Sequence, residues 1–223
     1  IHAKFGAMGI RSVAVKNYPL LSEFPAAPDR SVAQNAVCYV GGISGVRGIL
    51  ELVEAAGHLS TEARINLAGS FENPALREAC TARPGWGRFN ELGFLDRTGV
   101  NDTLAGSLAG LVTLHPTNAY VMSLPVKMFE YMAAGLPVIA SDFPLWRSII
   151  EENACGVCVD PMDPVAIARA IDRLVMNPEE ARRMGENGRR AVLTRYNWSA
   201  EKPILLDFYS ATMAGPIDPV GFA

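Results

Sequence analysis

Residues 123–141 read SLPVKMFEYMAAGLPVIAS, which predicts a helix followed by a short apolar strand. Ser123 is a candidate N-cap and Pro125 suits the first helical turn, whereas Gly135 ends the helix before Pro137. The apolar side chains of this helix recur at helical spacing on one face, which indicates packing against a sheet. They are Val126, Phe129, Met132 and Ala133. The segment therefore predicts a helix that covers a sheet and leads into a further strand.

The same alternation of β-rich and helical segments runs along the chain. The candidate strands are 13–15, 37–41, 65–69, 92–95, 110–115, 137–140 and 156–159. The candidate helices are 46–59, 74–81, 102–108, 126–134, 145–151, 164–175, 178–195 and 199–213. Crossovers of this length predict an α/β fold, a doubly wound parallel sheet of the Rossmann-like class with helices on both faces.

The composition bounds the class of protein. Of the 223 residues, 49% are apolar and 19% are charged, which is enough apolar surface for a core. We expect one domain over residues 1–214 and a frayed tail over 215–223, which holds two prolines and two glycines. The net charge of −3 gives no basic excess for nucleic acid. No run of about eighteen apolar residues occurs, so we expect a cytoplasmic domain, and the start at Ile1 suggests a fragment of a longer protein.

Two of the four cysteines form the C-x-x-C pattern Cys155-Gly-Val-Cys158. A redox motif places such a pair at a helix N-terminus, where the dipole lowers the thiol pKa. This pair lies instead in a short apolar run that predicts a strand, with the two side chains on opposite faces. Buried small side chains are therefore favoured over a redox site, and the absence of a nearby histidine argues against zinc.

Small and hydroxyl-bearing residues follow several predicted strands, at the edge where ligands bind a parallel sheet. The turn GGISGVRG over residues 41–48 lets a phosphate approach the backbone, although it does not match the dinucleotide pattern G-x-G-x-x-G. Arg47 is predicted in the first turn of a helix, where the dipole disfavours a cation unless an anion binds there. An exposed arginine is the alternative. His115, at a strand end, is compatible with ligand contact or with a structural role.

Lys127 and Glu130 also leave two interpretations open. They share a helix face at i,i+3 spacing, so they form either a surface ion pair or part of a ligand site. In a ligand site, Lys127 and the free amides of the first turn bind a diphosphate, and Glu130 binds a ribose. The sequence shows neither paired carboxylates nor a metal-type aspartate cluster. Cations and a helix terminus are therefore predicted to stabilise the negative charge of the diphosphate without a metal.

Around residues 123–141 the sequence resembles the group 1 family of retaining GT-B glycosyltransferases, family 4. The resemblance extends from about Asn17 to about Tyr209 and rests on motifs that occur in the family's order. They are NYPLLSEF, YVGGISGVRG, LGFLDR, EYMAAGLPVIASD and RYNWSAEKPILLDFY. The resemblance implies that the chain is the C-terminal, nucleotide-sugar-binding half of a GT-B fold and that the N-terminal acceptor domain is absent from it.

The resemblance also implies roles for eight residues. It assigns catalytic charge stabilisation to Arg47 and Lys127. Six more residues would surround the donor: Gly41, Gly42, Ser123, Leu124, Leu95 and Glu130. Among them, the two glycines leave room for the diphosphate, and the serine and Leu124 lie at the phosphate-facing helix start. Leu95 offers main-chain groups to the base, and the glutamate holds the ribose.

The implied reaction transfers a hexosyl group from a UDP- or GDP-type sugar to an acceptor hydroxyl with retention, using no metal and no other cofactor. The implied pathway is cell-surface polysaccharide or glycolipid synthesis. The absent domain would bind a sugar or lipid-linked acceptor, and the full-length protein would be free to contact the inner face of the membrane. The chain alone is then expected to bind nucleotide without transferring sugar.

Two alternatives share this architecture, a sugar-nucleotide 2-epimerase and a non-catalytic nucleotide-sugar-binding module. Met122 stands where the family has the earlier of two glutamates, the one that touches the donor sugar, and this supports the non-catalytic alternative. Gly42 stands where a basic residue is common. The donor hexose is therefore left open.

Overall fold

The computed structural model describes residues 2–24 and 35–213. Its strands are β1 (Ala36–Val40), β2 (Arg64–Ala68), β3 (Phe89–Gly93), β4 (Gly110–Val112), β5 (Val138–Ser141) and β6 (Gly156–Val159). Its helices are α1 (His2–Ala7), α2 (Ile49–Gly57), α3 (Pro74–Thr81), α4 (Arg97–Ala105), α5 (Asn118–Val121), α6 (Val126–Ala133), α7 (Pro144–Glu152), α8 (Pro164–Met176), α9 (Pro178–Thr194) and α10 (Trp198–Met213). Short 3₁₀ turns lie at Leu21–Glu23, Gly45–Arg47 and Pro84–Arg88. The predicted tail over 215–223 lies outside the described residues.

The six strands pair in parallel in the order β3-β2-β1-β4-β5-β6. The chain builds outward from β1 to β3, then crosses back to place β4 on the other side of β1. The prediction of a doubly wound Rossmann-like sheet is confirmed. In such a sheet, a crevice opens at the carboxyl ends of the two strands where the order reverses, here β1 and β4.

The sheet separates two apolar cores because successive side chains of a strand point to opposite faces. From β1, Val37 and Tyr39 enter the core shared with α2 and α8, whereas Cys38 enters the core shared with α6, α7 and α9. Both cores are formed almost wholly by aliphatic and aromatic side chains with little or no exposed surface. Helices therefore cover both faces, as the alternation of segments predicted.

Close packing of α6 on the sheet sets the position of the site. Gly110 of β4 lies under the Tyr131 ring, and a Cβ at residue 110 would meet that ring at 2.2 Å. The Tyr131 hydroxyl also accepts a hydrogen bond from the Val40 amide, 2.9 Å away, at the end of β1. Burial raises the pKa of Tyr131 well above its ordinary value, so the hydroxyl stays protonated. These contacts anchor α6 to the carboxyl end of β1.

Three predicted elements in the first half of the chain differ from the structure. Residues 13–15 lie in a segment with neither helix nor strand, and no described strand pairs with them. The predicted strand over 92–95 lies earlier, because Gly93 adopts a φ of +68° and ends β3. The helix predicted over 102–108 begins at Arg97, because the Asp96 side chain caps it by accepting a hydrogen bond from the Gly99 amide at 2.8 Å.

Arg47 does not lie in the first turn of an α-helix, as its sequence context predicted. It ends a 3₁₀ turn, and Gly48 then adopts a φ of +76° before α2 begins at Ile49. A Cβ at residue 48 would lie 2.1 Å from the Thr113 carbonyl oxygen, so the glycine permits the turn to approach the end of β4. The prediction that Arg47 lies in the first turn of a helix is therefore wrong, and its side chain points back to the glycine turn instead.

The C-x-x-C pattern lies on strand β6 and the residue before it. Both Cys155 and Cys158 pack against the core formed with α6, α7 and α9, so the prediction of opposite faces is wrong. Strand alternation does not extend to Cys155, because β6 begins at Gly156. Burial raises the pKa of both thiols to about 12, which is the opposite of a redox-active pair. The interpretation as small core side chains agrees with these contacts.

Candidate functional site

A pocket of about 270 Å³ opens at the carboxyl ends of β1, β2 and β3. Its lining is mostly main chain and apolar side chain: Val40, Gly41, Gly42, Ala68, Gly69, Ser70, Phe94, Leu95 and Val100. Gly69 has a φ of +145°, and a Cβ there would lie 2.0 Å from the Gly41 carbonyl oxygen. The turns after β1 and β2 can approach this closely only because glycine occupies that position. Three predicted site residues, the two glycines at 41 and 42 and Leu95, thus share one cavity.

Two cations converge on the glycine turn from different parts of the chain. A Cβ at Gly41, whose φ is +126°, would lie 3.2 Å from the Lys127 Nζ. A Cβ at Gly42 would lie 3.0 Å from the Arg47 Nη1, and that nitrogen donates a hydrogen bond to the Gly42 carbonyl oxygen at 3.2 Å. The glycines therefore leave the space that the ammonium and the guanidinium occupy. The structure brings together the predicted pair of cations.

The buried amine of Lys127 lacks a hydrogen-bond acceptor in the part of the chain that the structure describes. The residue as a whole is partly exposed, but its Nζ is buried and has no hydrogen-bond partner among the described residues. It lies 3.9 Å from the centre of the Tyr39 ring. Burial, followed by the nearby Arg47 guanidinium, lowers the pKa of Lys127 to about 7. An anion at the glycine turn would supply the missing partner.

Two side chains that the sequence analysis did not single out hold this arrangement. The Tyr39 hydroxyl donates a hydrogen bond to the Gly42 carbonyl oxygen at 2.7 Å, and burial raises the pKa of Tyr39 to about 12. Hydrogen bonding to the Tyr120 side chain raises the pKa of Arg47, so its guanidinium stays charged. The position of Tyr39, two residues before the turn, could have been recognised from the sequence. The approach of Tyr120 was not, since it depends on the packing of α5.

Glu130 is paired, but not with Lys127. Its Oε1 accepts a hydrogen bond from the Arg97 Nη1 at 3.2 Å, and its side chain is 21% exposed. The Arg97 Nη2 also lies 3.1 Å from the Glu23 Oε2. The interpretation of a surface Lys–Glu pair is therefore wrong, because the lysine turns inward over β1 whereas the glutamate turns toward α4. Glu130 keeps a second carboxylate oxygen for which no described residue provides a hydrogen bond.

Ser123 and Leu124 lie in the loop before α6, but Ser123 does not cap that helix. Its Oγ donates to the Tyr120 carbonyl at 3.1 Å, and α6 starts after Pro125 without a side-chain cap. The buried Trp146 donates its Nε1–H to the Ser123 carbonyl at 2.7 Å, which fixes the loop from below. The first amides of α6 are thus left without a side-chain acceptor of their own.

His115 has a structural partner. Its Nε2 lies 2.9 Å from the Glu51 Oε2 in α2, and its amide donates to the Val46 carbonyl at 3.0 Å. Both contacts tie the loop after β4 to the start of α2, and they favour the structural role over ligand contact. Phe94, which the sequence analysis did not select, is 83% exposed at the pocket and presents an aromatic face to solvent.

In the part of the chain that the structure describes, no three His, Cys, Asp or Glu side chains come together in a group that could hold a metal ion. A search of the same residues finds no helix with the length and apolar character needed to cross a membrane.

The model of a family described as "Glycosyl transferases group 1" matches residues 23–191. An alpha-D-kanosaminyltransferase of Streptomyces kanamyceticus is 29% identical over 177 residues, which cover 78% of this chain and 45% of that protein. The chain thus spans about half the length of the curated relatives it matches.

Solved structures share the fold. Sucrose-phosphate synthase from Thermosynechococcus elongatus superposes with a TM-score of 0.79 at 24% identity, over 96% of this chain and 55% of that chain. Anabaena HepE, solved in complex with UDP and glucose, superposes with a TM-score of 0.74 at 16% identity, over 94% of this chain and 60% of that chain.

Proposed function

The chain belongs to the group 1 glycosyl transferases, and from that premise we propose that it binds the diphosphate of a nucleotide sugar at the glycine turn and supports retaining transfer of the sugar to an acceptor hydroxyl. The observation that carries the proposal is the buried Lys127 Nζ, which has no hydrogen-bond partner among the described residues and lies beside Gly41. A buried amine without a hydrogen-bond acceptor destabilises the folded state. Such groups occur at functional sites, where a bound anion can supply the acceptor.

The chemistry of the proposed reaction fits the two cations. Negative charge develops on the departing diphosphate as the glycosidic bond breaks, so groups placed to receive that charge lower the barrier. Arg47 and Lys127 are the residues for this role, and the start of α6 adds amide donors. Each charge-assisted hydrogen bond contributes about 1.5–3 kcal/mol. The proposed site needs no metal for this charge stabilisation.

The nucleoside takes the pocket next to the glycine turn. Its apolar lining suits a nucleobase, with the exposed Phe94 ring as a stacking surface and the Leu95 main chain as a source of hydrogen bonds. We assign the ribose hydroxyls to the second carboxylate oxygen of Glu130, since Arg97 engages only the first. UDP is the first nucleotide to test, because Anabaena HepE, which shares the fold, was solved with UDP and glucose, and GDP is the next.

The acceptor is proposed to bind outside the described chain, since the relatives that match it are about twice as long. A second domain in the full-length protein would face the glycine turn and complete the site. We assign the reaction to the synthesis of a cell-surface polysaccharide or glycolipid, with a sugar or lipid-linked acceptor.

Titration calorimetry of the chain with UDP, GDP and ADP tests the proposal. We expect one of them to bind, and Lys127→Met to weaken that binding by about tenfold or more. Because methionine removes a buried unpaired amine, the melting temperature of this variant should hold or rise while its affinity falls. Lys202→Met, at an exposed position on α10, is the matched control and should bind like wild type. Wild-type affinity in Lys127→Met would overturn the assignment.

A further inference from the structure

Arg97 lies between two carboxylates from separate parts of the chain. Its Nη1 contacts the Glu130 Oε1 at 3.2 Å, and its Nη2 contacts the Glu23 Oε2 at 3.1 Å. Its guanidinium also lies 5.7 Å from the centre of the buried Phe24 ring. A planar guanidinium presents its donors in a fixed fork and can hold two carboxylates in a fixed relation, whereas the three donors of an ammonium rotate on a flexible side chain. Arg97 is therefore held in one place from three sides.

The position of Arg97 is unfavourable except for these contacts. It is the first residue of α4, and the dipole of a nine-residue helix disfavours a cation at its N-terminus. Asp96 caps the helix, and the arginine, whose guanidinium only donates hydrogen bonds, plays no part in the capping. The Asn101 side chain of the same helix donates to the Glu23 carbonyl at 3.1 Å, which fixes that segment against α4. The local structure thus supplies the arginine with a rigid support.

The contact with Arg97 restricts the conformation of the Glu130 side chain. This side chain has three rotatable bonds, and a glutamate without such a contact would sample many rotamers. The contact with Arg97 engages only Oε1, and it leaves Oε2 without a hydrogen-bond donor among the described residues. A carboxylate held by one oxygen is oriented for a ligand hydroxyl at the other, and the entropy of ordering it is lost during folding and not during binding.

We propose that Arg97 is a positioning residue for the nucleotide: it holds the Glu130 carboxylate so that the free oxygen accepts the ribose hydroxyls, and Glu23 holds Arg97 from the opposite side. This inference rests on the proposed function and adds to it a residue that need not touch the ligand. An arginine that instead occupied the ribose site would compete with the nucleotide, and its removal would then strengthen binding. Removal of Arg97 therefore weakens nucleotide binding if the residue positions Glu130 and strengthens it if the residue blocks the ribose site.

The test compares UDP and 2′-deoxy-UDP binding to the chain by calorimetry, with GDP and its deoxy form used if UDP does not bind. We expect Arg97→Gln to weaken UDP binding by about three- to tenfold and to narrow the difference between the ribose and deoxyribose forms. Arg97→Lys, which keeps the charge but replaces the rigid fork by a rotatable ammonium, should lie between wild type and Arg97→Gln. Glu23→Gln should weaken binding less than Arg97→Gln does.

Two controls separate positioning from a general structural role. Arg173–Glu180, between α8 and α9, is a matched pair with side-chain exposures of 51% and 22%, against 45% and 21% for Arg97–Glu130. Arg173→Gln should leave UDP affinity and the ribose preference unchanged. In a double-mutant cycle, Arg97→Gln should have no further effect once Glu130→Gln is present, because its influence passes through that carboxylate.

The outcomes distinguish this inference from the proposed function. If wild type binds none of the nucleotides, both are overturned. If wild type binds but Arg97→Gln binds equally or more tightly, the inference is overturned alone. The same holds if Arg97→Gln loses equal affinity with and without Glu130→Gln, or if the ribose preference does not change. Should Arg97→Gln fold poorly, Arg97→Lys provides the same comparison with the charge retained.

Discussion

Nucleoside diphosphate affinity should fall as the pH rises above 7, because Lys127 must carry a proton to bind the diphosphate. In the unliganded protein, burial lowers the pKa of Lys127 to about 7, from 10.5 for an ordinary lysine. A bound diphosphate supplies the counter-charge and raises that pKa again. The complex then holds more protons than the free protein, so binding takes up a proton and weakens as the pH rises.

The size of the effect follows from the pKa in the free protein. At pH 7 about half of the molecules carry the ammonium, and at pH 9 about 1% do so. If the complex remains protonated over this range, the affinity falls by about 50-fold from pH 7 to pH 9, which is about 2.3 kcal/mol. The terminal phosphate of the nucleotide has a second pKa of about 6, so it is already ionised over this range. The change in affinity with pH therefore reports the protonation of the protein and not that of the nucleotide.

Calorimetry at pH 7, 8 and 9, in buffers of different ionisation enthalpy, measures both the affinity and the proton uptake. We expect uptake to rise from about half a proton at pH 7 to about one at pH 9. Lys127→Met is the control, since it should bind weakly with no pH slope. The unliganded fold should also become more stable as pH rises from about 7 toward 9, because the unfolded chain binds the proton in this window and the folded chain does not.

A wild-type affinity that changes by less than about twofold between pH 7 and 9, without proton uptake, would refute the reasoning. Such a result would mean that the diphosphate does not contact Lys127, or that the amine is fully charged before the ligand arrives. Retention of the pH slope in Lys127→Met would refute the assignment of the slope to this residue.

Three further predictions concern the same site. Glu130→Gln should cost about 1.5–3 kcal/mol of nucleotide affinity and abolish the preference for ribose over 2′-deoxyribose, with an almost unchanged melting temperature; unchanged affinity would make Glu130 a surface residue. EDTA should not weaken nucleotide binding, and a tenfold loss, about 1.4 kcal/mol, would require a metal site. Gly69→Ala should destabilise the fold by at least about 3 kcal/mol in denaturant unfolding, because its Cβ would clash with the Gly41 carbonyl, whereas Gly87→Ala, which meets no atom within 4 Å, should change stability little.

The sequence by itself determined the class of fold, because the evidence for it is local. The period of the apolar residues distinguishes a strand from a helix within a few positions, and five predicted strands, from 37–41 to 156–159, overlap observed ones closely. The glycine turn after β1 and the motif at residues 130–142 are also contiguous, so the family could be identified from them. Even the local errors had local causes, such as the Asp96 cap that moved the start of α4.

The tertiary structure alone decided which residues meet. Residues 13–15 have strand propensity but no described neighbour to pair with, and a strand requires hydrogen bonds from another segment. Tyr131 reaches the Val40 amide across 91 positions, and Arg97 reaches Glu130 across 33. Local spacing favoured a Lys127–Glu130 pair instead. The packing of α6 on β4 turns the lysine inward to a site without a partner and leaves the glutamate to α4, because contacts between distant segments depend on how the whole sheet is wound.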